Sequence, residues 1–210
     1  MKRIIRIVLY LLGLVSLAMG NVCSVTSGLG ITATSSLGYV LSVISGLTLG
    51  TMTIISFVIF IAVQLLLADR REYVKILLQF PFSLFFSYMI DALLGAMTLE
   101  CESPLMKCAM MLLGIAFTSV GVILTVDVRI VPTAPDGLVR TLSDRFHWNM
   151  GNVKNGFDIF LVAAAIILGL CVKGTLTGIG IGTVVAALLT GRVVKLIEKK
   201  TQRFFTALVE

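Results

Sequence analysis

Two polar residues that could handle a solute lie inside a long apolar stretch of this sequence. Gln79 and Asp91 fall within the apolar segment 74–97, and Asp91 has no charged neighbour in sequence. A carboxylate at membrane depth is costly and usually faces a polar cavity or a partner, whereas an amide can bond to a solute or across helices. We therefore expect both residues to contribute to a binding site. A shallow position near the outer interface is the alternative for Asp91.

Two short segments begin with residues that are typical of helix starts. The hydroxyl and acidic residues at these two starts are Thr32, Thr34, Ser35, Ser36, Thr133 and Asp136. The free backbone N–H groups at such starts can hold an anionic group of a substrate. We predict substrate binding at these six residues, more strongly in the uncharged first segment, and plain helix capping is the alternative.

A third group of residues weakens helices inside apolar runs. Pro81 lies in segment 74–97, and the run "TGIGIGT" contains Gly178, Gly180 and Gly182. Interruptions at corresponding places in two halves of a chain indicate the central site of a transporter. We predict helix breaks or gating at these four residues. Close packing of helices in lipid is the alternative for the glycines.

The sequence carries no motif for catalysis or for a cofactor. It has no HExxH, no cysteine pair at metal-ligand spacing, no P-loop and no nucleophile elbow, so we expect no enzyme activity, no cofactor and no metal. Cys101 and Cys108 flank a short loop and are a possible disulfide. The net charge of +6 is explained by loop residues and requires no nucleic-acid partner.

The composition indicates a membrane protein. Of 210 residues, 58% are hydrophobic and 13% charged, against roughly a quarter charged in soluble domains. Thr51–Ala68 and Cys108–Val126 hold no ionisable group except cysteine, and about 20 such residues span a bilayer as a helix. The fold class is therefore all-α and polytopic. The N-terminus resembles a secretory signal, but the repeat described next favours a retained first span.

An internal repeat covers the chain. A gapless shift of 101 residues places Leu11–Gly13 on Leu112–Gly114 and Gly20 on Gly121, and it gives six identities between 30–50 and 131–151. This pattern predicts one membrane domain, 1–210, built from repeats 1–101 and 102–210. Each repeat has a long span, a short segment and two further spans. The predicted segments are 6–27, 33–47, 51–68 and 74–97, followed by 107–127, 134–147, 156–173 and 175–194.

Charge predicts the topology. If the two short segments do not cross the membrane, six helices do, and 15 of the 17 Lys and Arg residues fall on the side of both termini. Positive loops stay cytoplasmic, so we expect both termini inside. Three spans per repeat turn the second repeat upside down, as in many transporters. Each short helix is re-entrant or interfacial, and both options remain open.

Several segments resemble YczE/YitT-like bacterial membrane proteins, a largely uncharacterised family. They are "APDGLVRTLSDRFHWNMG", "IDALLG" and "GIGIGTVVAALLTG", together with the first span's "LLG…G". The resemblance implies a bacterial inner-membrane location and a transport or accessory role. The first short segment departs from the family's usual Gly-x-x-Pro-Trp-Asp start, because it begins "GITATSSL".

These observations predict a small secondary transporter or channel. We expect it to move a small solute, anions included, through a site between the inverted repeats. The alternatives are an accessory or regulatory membrane protein, and a substrate-binding subunit of a larger transport complex. The expected partners are the lipid bilayer, the solute, and either a second copy of the chain or another membrane protein.

Overall fold

The computed structural model describes residues 2–97, 99, 101–128, 130–176 and 178–209. Arg129, which the charge count places inside, lies outside these ranges. Within them all regular structure is helical and no strand occurs. The α-helices span Lys2–Ser27 (α1), Ala33–Ser45 (α2), Leu49–Leu67 (α3), Tyr73–Leu77 (α4), Gln79–Ala96 (α5), Pro104–Asp127 (α6), Ala134–Phe146 (α7), Met150–Lys173 (α8) and Ile181–Val209 (α9), with a 3₁₀ turn at Arg70–Glu72.

The predicted segments match helices, with three differences. The segment 74–97 is divided at Leu78 into α4 and α5. The helix predicted from 156 begins at Met150, so Lys154 and Asp158 share α8. The last helix was predicted to begin at residue 175, but α9 begins only at Ile181, after the connection from α8. The glycines of that connection explain the last difference, since glycine weakens a helix by about 1 kcal/mol relative to alanine.

Capping residues begin α3 and α8 and end α8. Thr48 accepts a hydrogen bond from the Thr51 N–H and starts α3, and Asn149 accepts from two N–H groups at the start of α8. Gly174 ends α8 with a left-handed backbone (φ 69°), which glycine adopts without a steric penalty. These caps set helix limits that hydropathy alone leaves open.

Five described helical segments are long and apolar enough to cross a membrane. They are Ile4–Ser27, Leu49–Leu67, Arg70–Ala96, Pro104–Asp127 and Met150–Lys173. Helix α2 is apolar but shorter, and α9 is not among the five. Several such helices in one chain indicate a multi-pass membrane protein.

The chain forms two compact units, and each takes segments from both halves of the sequence. Unit 1 consists of Met1–Thr32, Met89–Ile130 and Gly180–Glu210, and unit 2 consists of Ala33–Tyr88 and Val131–Ile179. The division into repeats 1–101 and 102–210 therefore stays a prediction from sequence.

Unit 1 is built on an antiparallel pair of helices, α1 and α6. Their backbones approach closely at glycines: a Cβ on Gly13 would lie 2.9 Å from Thr125, and a Cβ on Gly114 would lie 2.7 Å from the Ser24 hydroxyl. The shift of 101 residues turns one of these contacts into the other, because it places Gly13 on Gly114 and Ser24 on Thr125.

The same exchange holds at the centre of the α1–α6 crossing. Gly20 packs on Thr118 and Gly121 packs on Leu17, which are counterpart contacts under the shift. Small residues at such a crossing allow the close approach on which helix association in lipid depends. Helix α9 packs on α6 through the buried residues Met111, Ile115 and Ala186.

Unit 2 contains α2, α3, α4, the first part of α5, α7 and α8. Helix α2 packs against α8, and α3 packs against α7. Phe57 of α3 stacks on Phe86 of α5 at 5.8 Å between ring centroids, and Phe60 meets the ring edge of Phe157 at 5.3 Å. These rings form an apolar core beside the polar groups described next.

Candidate functional site

The start of α7 places several polar groups together in unit 2. Thr133 has an extended backbone (φ −60°, ψ 154°) at the N-cap, and Pro135 lies in the first turn, where its fixed φ suits a helix and its missing N–H costs nothing. The Gly137 N–H donates to the Thr133 carbonyl at 2.7 Å and closes that turn. Thr133, Pro135 and this bond define where α7 begins.

A pair of buried glutamines lies against this turn. Gln64 Nε2 donates to Gln79 Oε1 at 3.0 Å, and Gln79 Nε2 donates to Gln64 Oε1 at 2.9 Å. Gln64 Nε2 also donates to the Ala134 carbonyl at 3.1 Å. The two side chains are 1% and 3% exposed, so this amide pair is a polar group in an apolar interior. We call it the Gln64–Gln79 pair.

The third predicted span of the first half is interrupted just before Gln79. Leu78 keeps helical dihedral angles (φ −64°, ψ −17°) and its N–H donates to the Val74 carbonyl at 3.0 Å, and α5 begins at Gln79. Pro81 has no N–H to give to the Leu77 carbonyl, so it removes the bond that would continue α4 into α5. The break therefore lies next to the predicted residue Pro81.

Gly137 lies directly on the Gln64–Gln79 pair. A Cβ at this position would lie 2.5 Å from Gln79 Nε2 and 2.6 Å from Gln64 Oε1. Only a residue without a side chain allows α7 to approach the two amides this closely. Gly137 is therefore part of the site.

A small recess opens beside the pair. Its volume is about 40 Å³, which is room for roughly three water molecules. It is lined by Gln64, Glu72, Lys75, Ile76, Gln79, Pro132, Gly137, Arg140 and Thr141. The inner wall is uncharged, and the charged residues are Glu72, Lys75 and Arg140.

Each cation of the recess has a carboxylate beside it. Lys75 Nζ is 3.6 Å from Glu72, and Arg140 Nε is 3.7 Å from Asp144. All four side chains are largely exposed, so these ion pairs contribute little to stability. They do reduce the net positive potential that an approaching solute meets.

A charged network lies on the other side of the first turn of α7. Lys154 Nζ is 3.3 Å from Asp136 Oδ1 and 3.1 Å from Asp158 Oδ1, and the Thr133 hydroxyl donates to Asp136 Oδ2 at 2.7 Å. The Asp136 carboxylate thus lies at the positive end of the helix dipole, where acids are favourable. The network links α7 to α8.

A row of buried polar side chains continues along α5 in unit 2. Gln79, Ser83 and Ser87 are spaced by four residues, which places them on one helix face, and all three are buried. Within the described part of the chain, the Ser87 hydroxyl is buried without a hydrogen-bond partner. Such a group calls for a water, an ion or a ligand.

The remaining predicted residues lie in several places. Thr32 donates to Asn21 in unit 1 at 3.5 Å, and Ser36 is buried and donates to the Ala33 carbonyl at 2.7 Å. Thr34 and Ser35 lie half-buried in the first turn of α2, and Asp91 is half-buried with an interaction partner. The structure therefore groups Gln79, Thr133 and Asp136 near one helix start and places the first-segment residues elsewhere.

The predicted glycines form tight contacts in the connection before α9. In unit 1, the Gly182 N–H donates to the Leu29 carbonyl at 2.9 Å, and Gly180 packs on the same carbonyl. In unit 2, Gly178 has φ 71° and packs on the Tyr39 ring. These contacts require small residues; Gly178 and Gly180 precede α9, and Gly182 lies in its first turn.

The four cysteines and the possible metal ligands give no further site. The thiols of Cys101 and Cys108 are free in the structure, and a disulfide between them stays a prediction. Among the described residues, no group of three or more His, Cys, Asp or Glu side chains could hold a metal ion.

Gln64 and Lys154 are the main site residues that sequence reasoning missed. Gln64 was visible as the one amide in Thr51–Ala68, but nothing in its spacing indicated Gln79 as its partner. Lys154 was visible as a helical neighbour of Asp158, but a start of α8 at residue 156 placed it in a loop.

Comparison with known proteins identifies the family. Residues 4–199 match the profile of a family of unknown function, DUF6198. The chain belongs to DUF6198. Neither the curated proteins nor the solved structures contain a match.

Proposed function

We propose that this DUF6198 protein is a small secondary transporter or channel for a small polar solute, anions included. The Gln64–Gln79 pair carries this proposal. Its amides come from the first half of the sequence and touch Ala134 and Gly137 of the second half. Polar groups at membrane depth are costly and commonly mark a solute pathway, and transporter sites commonly lie at interrupted helices between two halves.

An inverted-repeat architecture is part of the proposal. Helices α1 and α6 are antiparallel, and their glycine contacts exchange under the 101-residue shift. Helix α2 packs on α8, and α7 packs on α3. The shift places α2 on α7 and α3 on α8, so it also turns the first of these pairings into the second. Both facts support two halves of opposite orientation, with α9 as the sixth span.

Membrane sidedness completes the proposal. Fifteen of the 17 Lys and Arg residues lie on one side in the six-span arrangement, which supports cytoplasmic termini. The resemblance to YczE/YitT-like proteins supports a bacterial inner-membrane location. Exposed Phe146 and Trp148, stacked at 4.9 Å, support an interfacial position for the end of α7.

Thiol labelling tests the pathway. In a background without Cys23, Cys101, Cys108 and Cys171, Ser83→Cys and Ser87→Cys introduce nearly isosteric thiols into the polar row. Charged thiol reagents modify thiolates in water, so both positions should react with reagent from at least one face of the membrane. Leu84→Cys is the control, because Leu84 lies on the exposed face of the same helix and should be protected by lipid.

Two outcomes decide between roles. Labelling of Ser83→Cys and Ser87→Cys that exceeds labelling of Leu84→Cys supports a water-filled path. If both serine positions stay as unreactive as Leu84→Cys from either face, the transport function is wrong and an accessory role gains support.

A further inference from the structure

We propose, on the basis of the transport function above, that the solute is a small uncharged molecule with an amide-type N–H donor next to a C=O acceptor. It binds by taking the place of one glutamine in the Gln64–Gln79 pair. Formamide, acetamide and urea are members of this chemical class.

The hydrogen-bond pattern of the pair defines the class. Each amide donates one N–H to the other and accepts one in return, at 2.9 and 3.0 Å. A ligand that replaces one partner without loss must offer one donor and one acceptor side by side, which an amide does. Alcohols rotate a single O–H group, and carboxylates only accept hydrogen bonds, so neither reproduces the pattern at neutral pH.

Spare hydrogen-bonding capacity lets the exchange start. Gln64 Nε2 uses both of its N–H groups, one on Gln79 and one on the Ala134 carbonyl. Gln79 Nε2 donates one bond to Gln64 and keeps a second N–H, because a primary amide has two. Since Gln79 also lines the recess, a solute carbonyl can accept from it before the pair separates.

The charges around the site favour an uncharged solute over an anion. Lys75 faces Glu72 and Arg140 faces Asp144. The Asp136 carboxylate, paired with Lys154, lies at the start of α7. The positive groups near the recess are therefore paired with carboxylates of the protein, and the part of the recess formed by the Gln64–Gln79 pair is uncharged. An anion would lose its hydration there without gaining a cation.

The size of the recess and the polar row along α5 fit the same class. A volume of about 40 Å³, which is room for roughly three waters, limits the solute to a molecule of a few heavy atoms. Beyond Gln79, the hydroxyl of Ser87 is buried and unpartnered in the described structure, so it offers the next hydrogen bond to a neutral polar molecule.

Solute flux into proteoliposomes tests the inference. Vesicles with the purified full chain are mixed with hyperosmotic acetamide, glycerol or sodium formate, and re-swelling is followed by light scattering. We expect acetamide entry above the rate of protein-free vesicles, and glycerol and formate entry at that rate. In the Gln64→Leu/Gln79→Leu variant, acetamide entry should fall about thirtyfold, because two hydrogen bonds of about 1 kcal/mol each are lost.

A second variant guards against misfolding of the double variant. Ser87→Ala removes a hydroxyl that has no partner among the described residues, so the fold should persist, and acetamide entry should fall while the melting temperature does not. Ser45→Ala, at an exposed hydroxyl bonded within its own helix, should leave acetamide entry unchanged.

The outcomes separate the inference from the proposed function. Formate entry that depends on Gln64 and Gln79, without acetamide entry, overturns the neutral-amide class and leaves transport standing. Entry of neither solute above protein-free vesicles also overturns the class, and transport is then decided by thiol labelling of Ser83→Cys and Ser87→Cys. Acetamide entry unaffected by both variants shows that the solute does not bind at the pair.

Discussion

At the scale of residues, the central feature is that two neutral amides satisfy each other. A glutamine carries two N–H donors and one carbonyl, and no water is present in the hydrocarbon layer to bond them. Gln64 and Gln79 meet most of this demand with each other and with the Ala134 carbonyl, and the second N–H of Gln79 is left for the recess. Each glutamine therefore depends on its partner.

A double-mutant cycle measures this dependence. Gln64→Leu alone leaves the Gln79 amide buried without its partner, and we expect it to lower the free energy of unfolding by about 1–3 kcal/mol. The Gln64→Leu/Gln79→Leu variant removes both polar groups, so its loss should be smaller than the sum of the two single losses. Thermal unfolding in detergent measures all three variants, and additive losses would contradict the pairing.

Gly137→Ala tests the close approach of α7 to the pair. The new Cβ would lie 2.5 Å from Gln79 Nε2, so we expect a loss of roughly 1–3 kcal/mol from overpacking. Gly156→Ala is the matched control in unit 2, because nothing lies within 4 Å of its Cβ position. The control should be neutral or stabilised by up to about 1 kcal/mol. Equal melting temperatures for the two variants would contradict the contact.

Residue types predicted part of this site. Gln79 was selected because an amide at membrane depth requires a partner, and the structure gives it one across helices. The pairing with Gln64 and the contact of both amides with Gly137 could not be inferred, because no spacing rule links α3 and α5 to α7. Contacts between distant segments depend on the packing of helices, which one sequence does not reveal.

At the scale of elements, close glycine contacts and one helix break organise the units. Hydropathy and caps predicted α1, α2, α3, α6 and α7 to within a few residues. Pro81 indicated a helix break in this segment, since a proline cannot donate a backbone hydrogen bond to the carbonyl four residues earlier. The late start of α9 was not predicted, because a glycine-rich apolar run is compatible both with a helix and with a connecting segment.

Gly20→Ala and Gly121→Ala should have similar effects on unit 1. Both positions lie at the α1–α6 crossing and are counterparts under the shift, and a Cβ at either would contact the backbone of the other helix at 2.7–2.8 Å. Each variant should lose roughly 1–3 kcal/mol through overpacking. Gly191→Ala, with nothing within 4 Å, is the control. A large loss in only one of the pair would argue against equivalent halves.

Lys154→Gln should leave Asp136 and Asp158 facing each other without their cation. We expect a loss of about 1 kcal/mol, reduced from that of a fully buried pair because all three side chains are partly exposed. Adding Asp158→Asn should recover part of it by removing the repulsion. Lys75→Gln, at the exposed Glu72 pair, should change the melting temperature little. If Asp158→Asn gives no recovery, the network does not hold α7 to α8.

At the scale of the whole molecule, composition alone predicted a multi-pass helical membrane protein. Residues that are counterparts under the 101-residue shift form counterpart contacts in α1 and α6, although the shift by itself did not predict that these helices pack together. It did not predict that compact units would combine segments of both halves. Sequence similarity records the ancestry of segments, whereas packing depends on which faces they bury against one another.

Sided labelling of two equivalent positions tests the inverted architecture most directly. Leu47 and Trp148 are counterparts under the shift, and both are exposed. In the cysteine-free background, Leu47→Cys and Trp148→Cys are treated with an impermeant thiol reagent in intact cells and in inverted membrane vesicles. We expect Leu47→Cys to react from outside and Trp148→Cys only from the cytoplasmic face. Reaction of both positions from the same face would contradict the inverted repeat.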